Sequence, residues 1–135
     1  MDIDTFANHI TNLGKQDFDI LCRIVLNDVL ELCAFNVDGK NDGGTDFIDI
    51  ASDGMRTKVA YQLTTQKTDI ERKAYKDAQK AIAKLGANRF FFLTSYSLSE
   101  VDARKLEFTI EKELGIHTSV YPPKILAQYY PTSTC

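Results

Sequence analysis

The run Arg89-Phe90-Phe91-Phe92-Leu93-Thr94 has no polar–apolar alternation. A strand that is apolar on both faces has to be covered on both, so this run predicts the central strand of a sheet with other layers above and below it. The segments around it supply such layers. Between residues 16 and 33, Phe18, Leu21, Cys22, Val25, Leu26, Val29 and Leu32 recur at the three-and-four spacing of a helix with one buried face. A shorter helix with Phe6, Ile10 and Leu13 on one side is expected before it, stopping at Gly14. Thr68 and Glu71 have capping-box spacing and Gly86 stands where a helix would stop; between them Ile70, Ala74, Ala78, Ala81, Ile82 and Leu85 share an apolar stripe. Ser99 and Asp102 open another helix, with Val101, Leu106, Ile110 and Leu114 as its apolar residues and Gly115 as its end.

The remaining segments read as strands and turns. Residues 35–37 predict a brief strand, and the loop chemistry of Asp38-Gly39-Lys40-Asn41-Asp42-Gly43-Gly44 follows. Residues 45–51 and 57–65 alternate around the turn Ser52-Asp53-Gly54 and predict an antiparallel pair. Residues 116–121 suggest a further strand, after which Pro122-Pro123 precedes a helical turn over 124–130. This order makes an α/β sandwich with a mixed sheet the most economical architecture: the hairpin gives its antiparallel part and the strand–helix–strand crossover its parallel part.

A chain of 135 residues suits one domain with a self-sufficient core. It has no apolar run of membrane length, and the acidic start Met1-Asp2-Ile3-Asp4 lacks the pattern of a signal peptide, so the expected location is the cytoplasm. Cys22, Cys33 and Cys135 suggest neither a disulfide framework nor a cysteine zinc site, and His9 and His117 have no partner at metal-binding spacing. With a formal net charge of -3 the whole chain does not attract nucleic acid. Such contact needs a local patch, and the arc Lys73, Lys76, Lys80 and Lys84 is the candidate.

Asp46, at the start of its strand, offers a carboxylate for a divalent ion; Gln62 offers a side-chain carbonyl oxygen with the Leu63 backbone carbonyl beside it. Thr64 points to the same side as Gln62 by strand periodicity, and its hydroxyl can orient a water but brings no positive charge. Oxygen ligands of this kind suit Mg²⁺ or Mn²⁺ held against a phosphodiester.

The helix bearing Asp17-Phe18-Asp19, the Asp42-Gly43-Gly44-Thr45-Asp46 turn and strand, and Tyr61-Gln62-Leu63-Thr64 resemble the PD-(D/E)XK nuclease superfamily, especially its Mrr-like restriction endonucleases. The resemblance spans residues 16–93 and rests on short motifs. It implies a restriction-endonuclease-like α/β/α sandwich, a metal site with Asp46, Gln62 and Asp19 as ligands, and cleavage of DNA. It also implies that the chain is the N-terminal effector of a longer prokaryotic defence protein, and a dimer is expected where both strands are cut.

The chain departs from that family where Thr64 replaces its lysine. Either the cation has moved, with Lys67 or Lys73 as candidates, or cleavage is lost and the domain serves as a nucleic-acid-binding or assembly module. A small regulatory domain that uses the fold for protein contacts is a third possibility. As structural features alone, Gly43-Gly44 is a turn, Asp19 a solvated helix residue and the lysine arc a solvated helix face.

Overall fold

The structure, a computed structural model, describes the backbone of residues 2–30, 46–52 and 55–129 and the side chains of residues 2–26 and 58–129. Nine elements follow in order among these residues: α1 (Ile3–Thr11), α2 (Lys15–Leu30), β1 (Asp46–Ser52), β2 (Met55–Thr64), α3 (Ile70–Leu85), β3 (Arg89–Thr94), α4 (Glu100–Leu114), β4 (His117–Tyr121) and α5 (Pro123–Tyr129). The expected strand at 35–37 and residues Cys33, Cys135 and Tyr130 lie outside the described residues.

The four strands form one mixed sheet in the order β1-β2-β3-β4. β1 and β2 are an antiparallel hairpin closed at Ser52↔Met55, while β2, β3 and β4 run parallel. Both crossovers, through α3 and through α4, lie over the same face, so each parallel strand is added on the same side of the last. β3 is central, as its unbroken apolar run requires, and its side chains divide between two cores. Phe91 and Leu93 join Val59, Tyr61, Leu63 and Tyr121 beneath α1, α2 and α5. Phe90 and Phe92 join Ala60 and Val120 beneath α3 and α4. Helices therefore cover both faces of a mixed α/β fold.

The two cores are built from different side chains. On the first, α2 contributes Phe18, Leu21, Cys22, Val25 and Leu26, and Tyr121 stacks obliquely on Phe91 and Tyr129 at 5.8 and 5.5 Å. Burial and the neighbouring Tyr129 hydroxyl push the Tyr121 phenol up to about 12. On the second, α3 presents Ala74, Ala78 and Ala81 to the Phe90–Phe92 ring pair, so small helix residues accommodate large strand residues. The edge strand β4 is closed by α4: Glu107 accepts from Val120 N at 2.7 Å and Glu111 accepts from Thr118 N at 3.0 Å. These carboxylates occupy backbone donors that an edge would otherwise leave free to template aggregation.

Three local expectations need correction. α1 ends at Thr11 with Asn12 as its cap rather than running to Gly14. α3 starts from Asp69 in a left-handed conformation, φ 51°, with no side-chain cap, in place of the Thr68–Glu71 capping box. Val101 is 64% exposed because nine residues separate it from Ile110, about half a turn around the helix. Gly86 and Gly115 end α3 and α4 as their sequences predict, both with positive φ that costs glycine little.

Candidate functional site

β1 runs against the parallel strands, so its first residue, Asp46, lies at the end of the sheet where β2 and β3 finish. In open α/β sheets that end is the usual place for ligands. The ladder pairs Asp46 with Tyr61 and Phe47 with Ala60, so Gln62 is one step further along β2 than the residue directly opposite Asp46. The Asp46 side chain is outside the described residues. Gln62 is 9% exposed and donates from Nε2 to its neighbour's carbonyl, Leu63 O, at 3.3 Å, which orients its Oε1 away from that contact. The carbonyl that sequence reading offers as a ligand thus accepts from the Gln62 amide.

The polar groups that follow Gln62 are taken up by the fold. Thr64 is buried; its Oγ1 accepts from Gln66 N at 3.1 Å and its carbonyl accepts from Ser95 N at 3.1 Å. Thr94, its counterpart at the end of β3, accepts from Tyr96 N in the same way at 3.0 Å, so hydroxyls turn both strand ends. Lys67 donates from Nζ to Thr11 O at 2.7 Å and to Ser95 Oγ at 3.0 Å, joining the end of α1 to the loop after β3.

On the α2 side, Asp19 is half-buried, and that burial raises its carboxyl above the usual range, with the Arg23 and Lys15 charges pulling it back. Arg23, one turn on, is only 2% exposed; it donates to Tyr61 Oη at 3.0 Å with its guanidinium 5.7 Å from the Tyr61 ring centroid. Sequence reading missed this residue. Its signal was the Asp19–Arg23 spacing of four on the flank of an apolar stripe. Tyr61, which Arg23 meets at its hydroxyl, is the residue paired with Asp46 across the ladder.

The lysine arc lies elsewhere. A groove of about 420 Å³ follows α3, lined by Arg72, Lys73, Lys76 and Lys80 together with the carboxylates Asp69 and Asp77. Lys76 and Lys80 are exposed, and Lys73 is half-buried beside Asp77, Nζ to Oδ2 3.2 Å. Asp77 is 5% exposed, and burial raises its carboxyl despite the Lys73 and Lys80 charges.

The structure thus brings Gln62, Thr64 and Lys67 to one end of the sheet and gathers Lys73, Lys76 and Lys80 in a groove along α3. Asp19 stands on α2, over the opposite sheet face from that groove. Among the described residues no group of three His, Cys, Asp or Glu side chains is disposed to hold a metal ion. His9 and His117 are exposed, with His117 3.7 Å from Glu111. Among the described residues no helix is long and apolar enough to cross a membrane. No family model matches the chain, and no curated protein matches it.

Proposed function

We propose that this domain is a metal-dependent endonuclease acting on DNA, with Asp46, Gln62 and Asp19 as the ligands of Mg²⁺ or Mn²⁺. What supports this reading is the position of Asp46 at the end of the sheet where β2 and β3 finish, the usual place for ligands in open α/β sheets, with Gln62 near the end of β2. The donor chemistry suits the ion, since a carboxylate and an amide carbonyl are hard oxygen ligands. Bound there, a divalent cation would polarise a phosphoryl oxygen and acidify a water.

The chain's own residues supply orientation and charge. Arg23 holds Tyr61 through its hydroxyl, with its guanidinium beside the Tyr61 ring. The cations of α3 attract the phosphate backbone. Lys67 is a bracing residue in this reading, because its ammonium is tied to Thr11 and Ser95. The direct test is nicking of supercoiled plasmid with Mg²⁺ or Mn²⁺. Cleavage that disappears in Asp46→Ala is expected; cleavage unaffected by that change overturns the assignment.

One observation favours a second reading, a domain that binds nucleic acid without cutting it. Thr64 and Lys67, the positions nearest the family's lysine, both make hydrogen bonds that serve the backbone. Binding of DNA by a protein that takes up no divalent ion at Asp46 would select this alternative.

A further inference from the structure

The α3 groove contains a charge that works against its apparent purpose. Asp77 is seven residues after Ile70 and four before Ala81, so it falls within the apolar stripe of α3, about 20° from the direction of Ile70. A carboxylate is rare at such a position unless paired. Its partner is the Lys73 ammonium at 3.2 Å, one turn back on the same helix, and this pair is the one contact at the Asp77 carboxylate among the ion pairs and hydrogen bonds of the described residues. Arg72, Lys76 and Lys80 complete the cationic lining. Their spacing of four advances about 6 Å per step along the helix, against about 3.4 Å of axial rise per nucleotide in one DNA strand. A strand of nucleic acid running along α3 can therefore meet these cations at about alternate phosphates.

We infer that Asp77 sets the affinity of this groove for a phosphodiester backbone by holding the Lys73 ammonium as an internal counter-ion, in competition with phosphate. A phosphate entering the groove meets three cations that face solvent and a fourth that has to leave a buried carboxylate. The groove then binds a polyanion more weakly, and releases it more readily, than four unopposed cations would. For a domain that moves along DNA, weak release-prone contact of this kind is useful, because tight nonspecific binding sequesters protein on the lattice. The inference rests on the reading of the domain as one that handles nucleic acid but not on cleavage.

The experiment is equilibrium binding of a fluorescein-labelled 20-base-pair duplex in EDTA, over a range of salt concentrations, with inorganic polyphosphate as a competing polyanion. Asp77→Asn is expected to tighten binding about three- to tenfold and to steepen the salt dependence by about one counter-ion. The charge-balanced pair Lys73→Gln with Asp77→Asn is expected to bind within about twofold of wild type, whereas Lys76→Gln loses affinity and flattens the salt slope by about one. Unchanged or weaker binding by a folded Asp77→Asn overturns the inference. If that variant does not fold, the charge-balanced pair decides alone: a loss as large as that of Lys76→Gln overturns it. Failure of wild type to bind duplex at low salt also overturns it, and preference for polyphosphate over duplex reassigns the groove away from nucleic acid and does the same. Because metal is absent throughout, a protein that binds as expected yet never cuts plasmid would sink the endonuclease reading and leave this one standing.

Discussion

Arg23 and Asp77 are both charged, both helical and both almost fully enclosed, but they lie over opposite faces of the sheet and are accommodated in different ways. Arg23 is set among Phe18, Leu21 and Cys22 on α2 and spans to β2, where Tyr61 offers it a hydroxyl and a ring. Asp77 looks along its own helix to Lys73 and borders an open groove. A charge satisfied by a long-range partner ties two elements together, so its removal damages the fold. A charge paired only within its own helix, at the edge of an open groove, ties no second element to the fold and remains open to exchange with a ligand.

Substitutions at these residues and at their neighbours on α3 test the difference. The largest effect is expected for Arg23→Ala, which strips a buried aliphatic stem and leaves Tyr61 without that donor; a loss of about 3 kcal/mol in chemical unfolding is predicted. A loss below about 1 kcal/mol would mean that Arg23 does not join α2 to β2 as described. Next comes Ala78→Leu, which forces a large side chain between α3 and the Phe90–Phe92 rings and should cost about 2 kcal/mol.

Asp77→Asn is smaller and depends on pH. Burial raises the Asp77 carboxyl above its ordinary 3.8, so the folded state binds this proton more tightly than the unfolded chain does. The stability due to that proton is complete below the unfolded value and is lost as the pH rises through the raised folded one. Wild type should therefore lose stability relative to Asp77→Asn as the pH climbs from about 4, by under about 1 kcal/mol in thermal or urea unfolding. A gap that widens the other way contradicts the described burial. Least affected should be Lys76→Gln and Lys80→Gln, both exposed, with stability changes within about 0.5 kcal/mol whatever they do to binding.

Much of the architecture could be read from local chemistry. The unbroken run at 89–94 required a doubly covered strand, and β3 is central with a core on each side. Ser99 caps α4 by accepting from Asp102 N, and Gly86 and Gly115 end their helices, because these signals act within one turn of chain. The failures were those in which a competing partner lay far away in sequence. Lys67, a sequence candidate for the displaced catalytic cation, has its ammonium held by Thr11 and Ser95, 56 and 28 residues away. Arg23 was unremarked because its partner, Tyr61, lies on a strand 38 residues away. Asp77 left a signal that went unused, since a carboxylate at the seventh position after Ile70 interrupts the apolar stripe. Of the candidate site, the sequence yields the elements and the order of Asp46 and Gln62 along them; the one-step offset between them is a property of strand pairing that no local motif encodes.

The proposed nuclease activity requires an ion held by residues 46 and 62 at the β1–β2 hairpin. Manganese binding followed by electron paramagnetic resonance, on wild type and on Asp46→Ala and Gln62→Ala, tests it most directly. One Mn²⁺ per chain, lost in Asp46→Ala and weakened in Gln62→Ala, is the predicted result; Mn²⁺ uptake that is the same in all three proteins, or absent from wild type, would contradict it.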